Sequence, residues 1–184
     1  MLFPGGRLPL RIFEPRYVRM MKECIRDGVP FGVCLIKDGK EVGDPAVPET
    51  LGCSATITHW DMPHLGLFQV VAMGGRVFQL KRVEVESDGL IRAEVRFDED
   101  LPTPDMPEAL AGCREVLRQI IERVGASHFP SPIRLDDAAW VSYRLGELLP
   151  VGSELKQQLL GTRDALDRLS LIDQLLETQS PGGA

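Results

Sequence analysis

Ile91, Ala93, Val95 and Phe97 alternate strictly with Arg92, Glu94 and Arg96, a period of two that predicts a strand with one face on a core and the other in water. The same period carries Cys53, Ala55 and Ile57 on one face and Ser54, Thr56 and Thr58 on the other. Phe31 to Ile36 is a continuous apolar run, as suits a buried strand, and Lys37-Asp38-Gly39-Lys40 supplies a turn after it. Leu67 to Met73 predicts another strand. Gly74-Gly75 then separates it from the apolar run Arg76 to Lys81, and two glycines in that position predict a hairpin. Between Leu80 and Val83 the apolar phase slips, which predicts a bulge or bend.

Beyond Pro107 the period becomes that of a helix. Leu110, Cys113, Val116, Leu117, Ile120, Ile121 and Val124 fall on one face, and Gly125 is a natural stop. Asp136-Asp137 suit the first turn of a second helix carrying Trp140, Val141, Leu145 and Leu148 before Pro150. Ser153 is placed to cap a short helix ending near Gly161, and Thr162 to cap a last one through Leu166, Leu169, Ile172, Leu175 and Leu176. Near the other end, Leu8-Pro9-Leu10-Arg11-Ile12-Phe13-Glu14-Pro15-Arg16-Tyr17 runs a strand straight into a helix start. Pro9 forbids helix for Leu8, and Pro15 sits where a first helical turn accepts its fixed φ and missing N–H.

These elements give an α+β chain: a β-rich part over 1–98 with one helix near 15–27, an acidic, proline-rich linker over 99–107, a helical bundle over 108–179 and a disordered tail over 180–184. Strands joined by short turns point to antiparallel pairing and a closed or nearly closed β unit. The length, 184 residues with 43% hydrophobic and 26% charged, is enough for one large or two small cores.

Net charge is 21 minus 27, or -6, so the mean field repels phosphate backbones and anionic lipid, and nucleic acid is disfavoured as a partner. Arg76, Lys81, Arg82, Arg92 and Arg96 lie close enough in sequence to gather across paired strands; the plainer reading is a solvated strand face. Cys24, Cys34, Cys53 and Cys113 form no C-x-x-C pair and read as reduced, buried thiols. No apolar run reaches the roughly 20 residues that span a membrane, no membrane partner is expected, and the cytoplasm is the default location.

Catalytic signals are weak. Gly39-Lys40 is followed by Glu41 with no helix, so it fails as a P-loop, and Gly74-Gly75-Arg76 lies between strands rather than opening a helix under a pyrophosphate. Ser153-Glu154-Leu155-Lys156 has S-x-x-K spacing, which a capped helix explains as well, and no S-D-N, K-T-G or G-x-S-x-G accompanies it. His59, Asp61 and His64 match no strong metal template; with Trp60, Met62 and Pro63 between them they read as a solvent-facing hairpin loop, and His128 as part of a proline-bounded loop. No catalytic, cofactor or metal residue is assigned.

The string Leu8 to Tyr17, with Leu2-Phe3-Pro4-Gly5-Gly6 before it, resembles the opening of the Lon N-terminal (substrate-recognition) domain family, which also occurs as short stand-alone proteins. Gly52-Cys53-Ser54-Ala55-Thr56-Ile57, Gly75-Arg76-Val77-Phe78 and the helices from Leu149-Pro150-Val151 extend the resemblance over nearly the whole chain. The resemblance implies an N-terminal PUA-like antiparallel β pseudo-barrel followed by a C-terminal helical bundle. It implies binding rather than turnover: in Lon proteases ATP hydrolysis and peptide cleavage reside in later domains, and neither a Walker A nor the protease's serine and lysine segment can be placed in these residues. Family members also carry a short strand ahead of the segment matching Leu2-Phe3-Pro4-Gly5, with a second Phe-Pro; the sequence starts after that point, and an open barrel edge, prone to pairing, is expected.

The leading expectation is a non-catalytic module that binds unfolded or extended polypeptide, with Trp60 and Met62 as exposed apolar contacts and Phe13, Arg16 and Tyr17 at the strand-to-helix corner, although Phe13 and Tyr17 read first as core. A separate protease or chaperone as partner, and self-association, fit that role. An alternative is an RNA-binding PUA-like module using Arg76, Arg82, Arg92 and Arg96; a small hydrolase of undetected type is a second, with no constellation to nominate its site.

Overall fold

The computed structural model describes residues 1–40, 42–99 and 101–179; the tail expected over 180–184 lies outside them. Two compact units divide the chain, Met1–Asp98 and Glu99–Ala184.

The first unit is a five-stranded antiparallel sheet with one helix. β1 (Arg7–Ile12), β2 (Phe31–Asp38), β3 (Val47–His64), β4 (Leu67–Val85) and β5 (Ile91–Phe97) follow in chain order, with α1 (Pro15–Asp27) between β1 and β2. The sheet order is β1-β4-β3-β2, and β5 pairs with the second half of β4. β3 and β4 are 18 and 19 residues long, and register shifts along their ladder bend them. The slip anticipated near Leu80 is present as the shift between Leu80 and Arg82. No ladder joins β1 to β2 among the described residues.

Glycines 74 and 75 do not make a hairpin. β4 runs through them, and the turn between β3 and β4 falls instead at Leu65-Gly66, where Gly66 has φ 82°. The two glycines answer a demand for space: a Cβ on Gly74 would sit far inside contact distance of the Phe3 carbonyl oxygen, and one on Gly75 would lie 2.6 Å from Ser54 Oγ. Through this gap the segment around Phe3 lies on the sheet, with Gly5 N–H donating to Gly74 O at 2.7 Å and Gly74 N–H to Gly6 O at 2.8 Å. Its side chains Leu2 and Phe3 are buried.

The residues from His59 to His64, expected as a loop, belong to β3 and form the exposed arm of the β3–β4 hairpin. β5 departs from its pattern too. Its alternation is real, but every residue from Arg92 to Phe97 is exposed, so the face expected to be core lies open. The core instead gathers Phe68, Val70 and Ala72 of β4, Cys53 and Ala55 of β3, Phe31 of β2, Leu2, and Met21 and Cys24 of α1.

The second unit packs three helices, α2 (Ala111–Val124), α4 (Ser153–Gly161) and α5 (Ala165–Gln179), around α3 (Ala138–Leu148). Leu117, Ile121, Val141, Leu145, Leu159, Leu169 and Ile172 are buried. Asp137 caps α3 by accepting from Trp140 N–H at 2.7 Å. The caps expected at Ser153 and Thr162 shift. Gly152 holds the N-cap of α4, making Ser153 the first helical residue, while Thr162 follows that helix and its hydroxyl donates back to Gln158 O. Asp164 performs the capping for α5, accepting from Leu166 N–H at 2.8 Å and Asp167 N–H at 3.1 Å. Pro104 O and Met106 N–H bond the start of α3, so this part of the acidic connector is fixed to the helical unit.

Candidate polypeptide-binding groove

The groove is built where α1 ends. Gly28 adopts the left-handed conformation (φ 65°, ψ 27°) that stops the helix, and its N–H returns to Cys24 O. Val29 then leaves the helix exposed, and across from it runs β3. Cys24, Ile25, Gly28 and Val29 from this corner, with Thr56, Ile57 and Trp60 from β3, line a depression of about 140 Å³. Burial pushes the Cys24 thiol above its ordinary value, with a smaller contribution from Glu23, so the group behaves as an apolar surface at neutral pH.

Trp60 forms the outer wall. It is 47% exposed, and its ring lies 6.0 Å from that of Phe68, tilted by 47°. Phe68 belongs to the core, so one side of the indole rests on fixed structure and the rest is open. Beyond it Met62 is exposed, and Leu65, at the hairpin tip, is 95% exposed. The wall, the arm and its tip together make a chain-accessible apolar surface with no charged residue among the groove's lining side chains.

The other residues singled out from sequence separate into different roles. Phe13 is 58% exposed rather than core, because it stands at the corner where β1 turns into α1. Tyr17 is half-buried beneath the Arg16 guanidinium, 4.8 Å from its ring centroid. Arg16 itself is buried: it pairs with Glu14 at 2.9 Å and donates to Gly89 O at 3.1 Å. None of the three lines the groove.

The arginines nominated for RNA are spread among acceptors. Across the β4–β5 ladder Arg82 faces Glu94, Arg92 faces Glu84 and Arg96 faces Gln79. Arg82 pairs with Glu84, Arg92 with Glu23 and Glu86, Arg96 donates to Gln79 Oε1, and Arg76 donates to Asp98 O while lying over the Phe97 ring. His59, Asp61 and His64 are strung along the extended arm, where the Asp61 carboxylate accepts from Met62 N–H.

Of the residues that line the depression, Trp60 was singled out from the sequence, whereas Ile25, Gly28, Val29 and Ile57 were not. The available signal was Gly28-Val29-Pro30, an apolar residue held between a helix stop and a proline.

The family model for the ATP-dependent protease La (LON) substrate-binding domain matches residues 1–178. The chain belongs to that family. Among solved structures, the chain is similar to a Lon N-terminal domain protein from Xanthomonas campestris, with 33% identity and a TM-score of 0.78 over 96% of this chain and 92% of that one. The N-terminal domain of Mycobacterium avium complex Lon protease shares the fold at 18% identity, with a TM-score of 0.69 over 97% of this chain and 94% of the other. Both matches run through the sheet and the helices, so the α+β arrangement of this Lon-family domain is that of its relatives.

Proposed function

We propose that the chain is a non-catalytic recognition module for extended or unfolded polypeptide, and that an apolar side chain of the bound segment is taken against Trp60 in the groove at the end of α1. The observation that carries this reading is the open indole wall: an aromatic half exposed, braced from behind by Phe68, and facing an uncharged depression. Aromatic residues held in this way supply large contact area with little ordering cost. The family's substrate-binding description supports polypeptide as the substrate class. Free cysteines at all four positions go with a cytoplasmic setting.

The test is fluorescence anisotropy with a labelled, permanently unfolded model polypeptide, run beside a single-stranded RNA pool across a salt series. Binding of polypeptide that survives salt, weakened about tenfold by Trp60→Ala, is the expected result. Trp60→Ala without effect on that binding sinks the groove assignment, and steeply salt-dependent binding of RNA alone sinks the polypeptide reading.

A further inference from the structure

From its second residue onward β5 is exposed on both of its faces. It pairs with β4 along one side, and no ladder occupies its other side among the described residues. Its apolar side chains Val95 and Phe97 are exposed and lie on the same face as exposed Val83 and Val85 of β4, because residues opposite each other in an antiparallel ladder share a face. The reverse face carries Arg92, Glu94 and Arg96. A long open edge of this kind is a template for another strand.

The edge has a feature that selects its occupant. If two copies of the strand run antiparallel about a two-fold axis at Val95, residue numbers of opposed pairs sum to a constant, and from Arg92 to Asp98 every charge meets its opposite. Glu94 of one copy faces Arg96 of the second, Arg96 faces Glu94, and Arg92 faces Asp98. Over the same stretch apolar residues meet apolar ones, Val95 against Val95 and Ala93 against Phe97, and only at the strand's end does Ile91 fall opposite Glu99. Glu94 and Arg96 are also the charges left over within one chain: neither has an ion-pair partner among the described residues, and Arg96 bonds only the neutral Gln79 side chain. A register centred on Ala93 also sets Arg92 opposite Glu94 and Ile91 opposite Val95, but its matched stretch is shorter, because it leaves Arg96 opposite Leu90 and Phe97 opposite Gly89.

We propose that β5 is a homodimer edge, pairing two copies of this chain antiparallel about Val95 through reciprocal Glu94–Arg96 contacts. The arrangement is isologous, so it closes at two copies rather than propagating. It extends each sheet into a shared one and goes beyond polypeptide recognition, since it uses a different strand from the groove.

Sedimentation equilibrium and cysteine cross-linking of the whole chain test the proposal. The chain is expected to sediment at twice its single-chain mass at high concentration. Glu94→Arg and Arg96→Glu should each raise the dimer dissociation constant about tenfold or more by opposing like charges, and the double variant should restore it. Val95→Cys places two thiols directly across the axis and is expected to give an interchain disulfide on mild oxidation, whereas Ala93→Cys, also at an exposed position, is not. These variants alter exposed side chains, and unchanged circular dichroism verifies their folding. A monomer at every concentration with no Val95→Cys cross-link overturns the dimer. Cross-linking through Ala93→Cys alone, or loss of the dimer in the double variant, overturns the reciprocal register.

Discussion

Gly74 is a requirement for space in the middle of a strand. The Phe3 carbonyl occupies the volume a Cβ would need, and it is backbone, held by Gly6 N–H at 2.9 Å, so it cannot swing away as a side chain would. Gly74→Ala is expected to destabilise the β unit by about 2–3 kcal/mol. Gly112→Ala is its counterpart: that Cβ meets only Asp173 Oδ1 at 3.8 Å, and the exchange should stabilise α2 by about 0.5 kcal/mol. The two tryptophans, Trp60 and Trp140, fall in different units, so urea unfolding followed in Trp140→Phe and Trp60→Phe backgrounds reads each unit separately. Thiol chemistry belongs to the same scale. Burial pushes Cys34 up to about 11 and Cys113, beside Asp173, up to about 12, so both are protonated at pH 7.5. Labelling by iodoacetamide should therefore be slow in the folded protein and rapid in denaturant, with mass spectrometry after timed quenching as the readout.

At the scale of elements, α3 depends on a cap and α4 does not. Asp137→Ala removes the acceptor of Trp140 N–H and is expected to cost the helical unit about 1 kcal/mol, whereas Ser153→Ala, at the first helical residue, should cost less than about 0.5 kcal/mol. Trp140 fluorescence during urea unfolding separates the two. In the β unit, α1 is tied to the β4–β5 turn by charge. Arg19 bonds Glu23, Glu86 and Asp88, and Arg92 bonds Glu23 and Glu86. Glu23 is held below its ordinary 4.5 mainly by Arg92, Glu86 mainly by Arg19, and Asp88 below 3.8 mainly by Leu90 N–H. A carboxylate held low in the folded state adds stability that is present above its unfolded value and lost as pH falls through the folded one. Arg92→Gln should accordingly lower the thermal midpoint at pH 7, and its difference from the parent should shrink as pH drops below 4.5 and as salt rises.

For the whole molecule, the division into two units predicts that stability and binding can be altered independently. The groove lies wholly within Met1–Asp98. Asp137→Ala should lower the unfolding midpoint of the helical unit and leave affinity for unfolded polypeptide unchanged within about twofold. A parallel loss of affinity would show that the groove is not the binding surface by itself. The helical unit has its own internal fastening, which makes such independence physically reasonable: buried Arg168 donates to Ser142 Oγ at 2.9 Å and to Thr162 O, and stacks 3.8 Å from the Tyr143 ring centroid, joining α5 to α3 and to the loop after α4.

The sequence by itself determined the class and order of elements, because period and punctuation are local. Pro15 and Gly28 bracket α1, Asp137 marks α3, Gly125 follows α2, and the alternation from Ile91 to Phe97 is a strand. Family membership was legible for a related reason: the string from Leu8 to Tyr17 encodes one corner of the fold in consecutive residues. Tertiary structure decided what each face meets. Alternation in β5 could not say that its apolar side is left exposed, and Gly74-Gly75 could not say that the space it leaves belongs to Phe3 and Ser54, over 20 residues or more of chain. The groove arises from the same source. Of the groove's lining Trp60 stood out in the sequence, but Ile25, Val29 and Ile57 become its neighbours only when α1 packs on β3, and burial and proximity are properties of the folded chain rather than of any window along it.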